Sequence, residues 1–235
     1  MHWFERAKSA VVRVGRSGRG GRGGRGFATN LANIHGHIMP CVITAAHCVP
    51  APVDRLTSPW EQWENTKMTF VGPLDGKTTI AVTILFWDPT TDLAVLGEPD
   101  DQALYEESIA YRAIMEEVDR IEIAPLELPL LAEDDRTSTA WALSLEGEWF
   151  ACKTRTSLSL LVHNAPIARG MSGSPLLNEA GAALGVVSRG SASPDEGYES
   201  YSSRLALCLP PRLTSTRPLT TFKPPGGLAS VISAF

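Results

Sequence analysis

The chain has 235 residues, 43% of them hydrophobic, and a formal net charge of −5. That apolar content supports a sizeable core, as one larger all-β domain or two small barrels, and the negative balance argues against a dedicated nucleic-acid binder. No apolar run approaches the ~20 residues a membrane-crossing helix needs, and the stretch from Met1 to Lys8 lacks the apolar core of a secretory signal, so a cytoplasmic protein away from membranes is expected.

In chain order, the apolar run Ala10-Val11-Val12 places a first strand over 8–14. From Gly15 to Gly26 arginines recur every third residue among glycines, a low-complexity pattern that reads as a flexible loop between strands. Repeated Arg-Gly can also bind RNA by charge and stacking, but so few phosphate contacts make it the minor reading. A strand resumes at Gly26-Phe27-Ala28-Thr29, and Ile34 to His37 reads as a hairpin tip. Strand alternation sets His35 and His37 on one face, near Cys41, yet no further ligand cluster follows, so a solvated turn is expected and neither metal nor cofactor is assigned.

Cys41 to Thr44 is a strand that runs into the turn Ala45-Ala46-His47-Cys48, and prolines 50, 52 and 59 mark a loop. Alternating strands follow at 68–71 and 79–86, and the turn Trp87-Asp88-Pro89-Thr90-Thr91 delivers Asp92 onto the next strand, Leu93 to Leu96. Between 100 and 120 the apolar residues Leu104, Ile109, Ala113, Ile114 and Val118 fall near a helical period among many acids, which predicts an amphipathic helix joining two halves, with the boundary near Asp119. Glu133-Asp134-Asp135 reads as charged loop. Strands are expected at 140–145, 149–153, 158–162, 176–177 and 184–190, with a last one at 204–210 and a loosely ordered tail over 211–235.

The chemistry gathers at Gly170-Met171-Ser172-Gly173-Ser174-Pro175. A serine between glycines suits a nucleophile on a tight, exposed turn, because glycines accept conformations that a Cβ forbids. There the amides of Gly170 and Ser172 can form an oxyanion hole. His47 offers a base and Asp92 an orienting carboxylate, 45 positions apart, with Asp88 the nearest rival to Asp92. The order His, Asp, Ser is that of one class of serine hydrolases and not of two others.

With these strings in that order, the chain resembles the trypsin-like, chymotrypsin-fold serine peptidases, most of all their bacterial single-domain members, over residues 10–210. The resemblance implies an all-β fold of two antiparallel six-stranded Greek-key barrels with a helix near 100–119 joining them. The first barrel would span 8–118 and the second 119–210. It implies that Ser172, His47 and Asp92 hydrolyse peptide bonds through an acyl-enzyme, with a protein or peptide as substrate. A peptide- or RNA-binding module that keeps this fold with little turnover is the alternative. Leu-Ala-Val-Leu after Asp92 follows the family pattern and sets Asp88 aside.

The substrate-binding residues implied are Pro166, Ile167, Ala168 and Arg169 before the nucleophile, and Ser188, Arg189 and Gly190 on the strand whose end pairs with substrate backbone. Pro166 aligns with the base of the first pocket, and the absence of an acid there implies cleavage after Val, Ala, Leu or Met. Met171 stands where pancreatic relatives carry the aspartate that receives a new N-terminus, so activation of that type is not expected. The loop is also similar to that of glutamyl endopeptidases, but the histidine those enzymes use is missing from Val186-Val187-Ser188. Cys48 follows His47 as in secreted members, whose partner cysteine lies further back than Cys41, so Cys41, Cys48, Cys152 and Cys208 are expected to be reduced.

Overall fold

The protein is described by a computed structural model that covers residues 3–16, 23–32, 36–51, 69–74, 76, 79–126, 137–193, 197–210 and 213, without the side chains of Arg16 and of 191–198. Half of the Arg-Gly run (17–22), His35, the charged loop at 133–135 and the expected tail (save Leu213) therefore lie outside the described residues.

The strands close into two antiparallel barrels of six each, as expected. In the first, β1 (Val11–Arg16), β2 (Gly24–Ala32), β3 (Ile38–Thr44), β4 (Thr69–Pro73), β5 (Ile80–Asp88) and β6 (Leu93–Gly97) run in the order β1-β2-β3-β6-β5-β4. The second holds β7 (Ser138–Leu143), β8 (Trp149–Ser157), β9 (Leu160–His163), β10 (Pro175–Leu177), β11 (Ala183–Ser193) and β12 (Gly197–Arg204), in the order β10-β11-β12-β9-β8-β7. Closure leaves no bare edge among the described strands to template association.

The first barrel is filled by Val12, Val14, Phe27, Leu31, Val42, Ile43, Val71 and Leu96, each at most 2% exposed. Burying one such side chain contributes about 1.5–3 kcal/mol. A smaller cluster in the second barrel joins Ala140, Ala142, Cys152, Leu161, Ala165 and Leu176. Thr44 pairs with Gly26 on one side and Ala94 on the other. That register sets the turn after β3, which carries His47, beside the turn before β6, which carries Asp92.

Four elements differ from the sequence reading. Residues 3–9 form a helix, α1 (Trp3–Ser9), so the first strand begins at Val11 rather than at Lys8. The helix is held by aromatic packing on the second barrel. Phe4 stacks on Trp149 with centroids 6.1 Å apart, and the Trp149 indole donates to the Phe4 carbonyl at 3.1 Å. The helix near 100–119 is α2 (Tyr105–Glu117), but its buried stripe is Ser108, Tyr111 and Met115. Ile109 is 47% exposed. Tyr111 sets the rotation, because its hydroxyl donates to the Pro40 carbonyl at 2.8 Å.

The expected strand at 204–210 is a short helix, α3 (Leu205–Cys208), whose turn is closed by Leu209 N–H donating to the Leu205 carbonyl at 3.0 Å. The last strand is instead β12. Its polar composition hides it, yet Ser200, Ser202 and Ser203 are 0% exposed. Their hydroxyls find partners in the Ala165 carbonyl, the His163 ring and the Thr91 carbonyl, which removes the penalty that buried unpaired hydroxyls would carry. All four cysteines are buried, and Cys41, Cys152 and Cys208 are free thiols.

Candidate active site

His47 sits in a single 3₁₀ turn, Ala46–Cys48, at the end of β3. Its Nδ1–H donates to Asp92, with Oδ2 at 2.8 Å and Oδ1 at 3.0 Å, and its backbone N–H donates to the same Oδ1 at 3.0 Å. Asp92 has φ +54°, a left-handed conformation that aspartate tolerates better than most residues. The Ala46 N–H donates to the Asp92 carbonyl at 3.1 Å, so backbone and side chain both lock the two turns together. Asp88 is spent on the turn itself, accepting from the Thr90 N–H at 2.8 Å and the Thr91 hydroxyl at 2.7 Å.

The second barrel reaches this pair through Ser188 of β11, whose hydroxyl donates to Asp92 Oδ2. Burial raises the Asp92 pKa, but hydrogen bonds from His47, Ser188 and the His47 amide outweigh it and hold the carboxyl below its ordinary value. The reverse effect falls on the imidazole. Its hydrogen bond to Asp92 first, and the Cys48 side chain second, push His47 up to about 10.

Ser172 lies on the loop before β10. Gly170 has φ +104° and Gly173 φ +87°. The loop is tied by Met171 N–H to the Ala168 carbonyl (3.1 Å), Gly173 N–H to the Val187 carbonyl (2.8 Å) and Ser174 N–H to the Met171 carbonyl (3.0 Å). Among the described residues the amides of Gly170 and Ser172 have no acceptor, so two donors of this loop stay unspent. The Ser172 carbonyl accepts from the Arg25 N–H at 2.7 Å and from the Cys48 thiol at 3.6 Å, so the Ser172 loop rests against the residue next to His47. Among the described residues Ser172 Oγ makes no hydrogen bond, to His47 or elsewhere. Catalytic hydrogen bonds are often long in free enzymes and tighten in the substrate complex.

A cleft of about 490 Å³ opens beside the pair, lined by His47, Asp92, Ser188 and Arg189 together with Val49, Ala51, Trp87 and Pro89. Ile167 is half-buried against Gly190, where a Cβ would stand 2.7 Å from Ile167 Cβ. Pro166, Ala168, Arg169 and Arg189 are exposed. Among the described residues no group of three or more His, Cys, Asp or Glu could hold a metal ion.

Two functional contacts escape the sequence reading. Ser188 binds Asp92, and Arg25, hidden in the Arg-Gly run, is only 5% exposed and holds the Ser172 carbonyl. The glycines flanking Arg25 were the available signal, since glycine inside a strand marks close backbone approach. A Cβ on Gly24 would meet Cys48 Sγ at 2.3 Å and the Ser172 carbonyl at 2.7 Å.

Known structures show the same architecture. The inactive form of Rv3671c from M. tuberculosis matches with TM-score 0.52 and 18% identity, over 88% of this chain and 86% of that one. The serine endoprotease from Yersinia pestis matches with TM-score 0.53 and 18% identity, over 86% of this chain and 61% of that one. The human pathogenic astrovirus serine protease matches with TM-score 0.51 and 17% identity, over 86% of this chain and 94% of that one. At these identities the likeness is one of fold. A search of curated proteins finds no match. The model of the trypsin-like peptidase domain matches residues 24–186, which span β2 through the first part of β11 and include His47, Asp92 and Ser172, so the chain belongs to the trypsin-like peptidase domain family.

Proposed function

We propose that the protein is a serine endopeptidase in which Ser172 is the nucleophile, His47 the general base and Asp92 the carboxylate that orients it. The observation that carries this reading is the two-point grip of Asp92 on His47, through the ring and through the backbone amide. That grip fixes the Nδ1–H tautomer and leaves Nε2 to take a proton. In the first half-reaction Ser172 Oγ attacks the scissile carbonyl and His47 takes the hydroxyl proton. The unspent amides of Gly170 and Ser172 receive the oxyanion. His47 then protonates the leaving amine, and water attacks the acyl-Ser172 ester by the same route in reverse.

The substrate is a protein or peptide, its backbone laid along Ser188 to Gly190 and its side chains reaching the Val49, Trp87 and Pro89 wall of the cleft. A fluorophosphonate probe tests the assignment. Labelling that maps to Ser172, disappears in Ser172→Ala and slows strongly in His47→Ala is expected. A folded wild-type protein that takes no label is instead a peptide-binding module on a peptidase fold.

A further inference from the structure

Gly170 to Gly173 must hold a shape open to glycine alone at its two ends, with both glycines at positive φ, for the amides of Gly170 and Ser172 to face one point. Met171, inside the loop, is apolar and 2% exposed, and its sulfur accepts from the Ala168 N–H at 3.3 Å. The loop therefore has no carboxylate of its own at that position to anchor it. Arg25 of β2 touches it from the first barrel at its C-terminal end, and reaches its N-terminal end only through Leu145.

At the C-terminal end, the Arg25 N–H donates to the Ser172 carbonyl at 2.7 Å. The Arg25 carbonyl accepts from the Thr44 hydroxyl at 2.6 Å. It also presses on Gly173 so closely that a Cβ there would lie 1.8 Å from it. At the N-terminal end the link is the side chain. Its guanidinium donates through Nη1 to the Leu143 carbonyl at 2.9 Å and the Ser144 carbonyl at 2.8 Å, and through Nη2 to the Leu145 carbonyl at 3.3 Å. Those carbonyls belong to the β7–β8 hairpin of the second barrel. Leu145 then lies over Gly170, with its Cδ2 3.5 Å from the place a Cβ would occupy.

We propose that Arg25 is a positioning residue for the reaction: it crosses from the first barrel to the β7–β8 hairpin and clamps the nucleophile loop between Gly170 and Gly173. This rests on the serine-peptidase reading. Only a planar fork with several fixed donors spans three successive carbonyls, which a lysine ammonium cannot do. Buried to 5% exposure, the side chain has no freedom to serve a second ligand such as a phosphate, so the structure withdraws it from the Arg-Gly run as a nucleic-acid contact.

The test compares wild type, Arg25→Met, Arg25→Lys and Leu145→Ala, with rates normalised to sites titrated by a fluorophosphonate. Arg25→Met is expected to lower kcat per titrated site by about 10²-fold, the usual cost of misplacing a reacting group by an ångström, with KM within about threefold. Affinity for a peptide aldehyde, which needs the oxyanion donors, falls in proportion. Arg25→Lys restores part of the loss, and Leu145→Ala lowers kcat by about fivefold without adding to Arg25→Met, as members of one unit do not add. A merely structural role would lower melting temperature and the titrated fraction but leave kcat per site unchanged, and that result in Arg25→Met overturns the proposal. If Arg25→Met does not fold, the half-exposed Leu145 decides, and an unchanged kcat in Leu145→Ala overturns it. Failure of the underlying reading is seen separately, as wild-type protein without label at Ser172, and overturns both.

Discussion

Asp92 holds His47 through two different atoms: the ring Nδ1–H at 2.8 Å from Oδ2 and the main-chain N–H at 3.0 Å from Oδ1. The grip orients the imidazole, and it also stabilises the imidazolium, which pushes His47 up to about 10. A base with a raised pKa is mostly protonated at neutral pH. The acid limb of the kcat/KM profile is therefore expected above the ordinary histidine value of about 6.5. Asp92→Asn should pull the limb back toward 6.5 while costing about 10⁴-fold in kcat. A limb at 6.5 in wild type would show that the charge of Asp92 is not felt by the ring. The linked stability runs the same way: His47 contributes it below about pH 6.5, and it is lost as pH rises through about 10.

Ser172→Ala and His47→Ala should each reduce turnover by several orders of magnitude, and the double variant should be little worse. Additive losses in a steady-state assay would mean that one of the two is wrongly assigned.

Gly173 tests the packing between barrels. It has φ +87°, and an added Cβ would fall 1.8 Å from the Arg25 carbonyl and 2.5 Å from Thr44 Oγ1. Backbone cannot yield there as a flexible side-chain tip would. Gly173→Ala is expected to cost more than about 3 kcal/mol, at the upper end of single substitutions, and to prevent folding in a marginally stable background. A melting temperature unchanged by this substitution would contradict the close approach of β2 to the nucleophile loop.

The strings around His47, Asp92 and Ser172 and the apolar strands of the first barrel were legible because local pattern and final environment agree: Cys41 to Thr44 and Leu93 to Leu96 are fully buried runs. Legibility failed where a partner distant in sequence decides the outcome. The serines of β12 are buried because of His163, Ala165 and Thr91, none of them nearby in the chain. The face of α2 is set by the bond of Tyr111 to Pro40, and α1 forms on Trp141 and Trp149 of the other barrel. Arg25 looked like one more arginine of a low-complexity run, and only the hairpin carbonyls it meets 118 to 120 positions later give it a task.

His163 predicts an acid weakness. It is 3% exposed, one ring nitrogen pairs with the Ser202 hydroxyl at 2.9 Å, and burial lowers its pKa to about 4. Nδ1 has no partner among the described residues, so nothing compensates a charge there. In the unfolded chain the group takes a proton near 6.5, so protons favour the unfolded state between about 6.5 and 4. Stability should fall by about 3 kcal/mol across that window. His163→Gln, which keeps a bond to Ser202 but does not titrate, should flatten the profile in denaturant unfolding at pH 7 and pH 4.5. An equal acid loss in both proteins would place the weakness elsewhere.

We propose that Ile167 and Gly190 set the substrate choice. Their walls touch, for a Cβ on Gly190 would stand 2.7 Å from Ile167 Cβ and 2.9 Å from the Ile167 carbonyl oxygen. Ser200, paired with Gly190 across the strands and 0% exposed, spends its hydroxyl on the Ala165 carbonyl at 2.8 Å, so it is not free to meet a charged side chain. Burying a Lys or Arg side chain there without a partner is costly, while apolar burial is worth ~25 cal/mol per Å². Cleavage is expected after Val, Ala, Leu or Met, with the smaller two favoured by the contact between Ile167 and Gly190. Exposed Arg169 and Arg189 add a mild preference for nearby Asp or Glu, of only ~0.2–1 kcal/mol, that fades with salt. Ile167→Ala removes the wall and should shift a peptide-library profile toward Leu and Met by about tenfold, the usual discrimination of one or two methylenes. A library cut mainly after Arg or Lys, or a profile indifferent to Ile167→Ala, would mean that substrate enters along a different wall of the cleft.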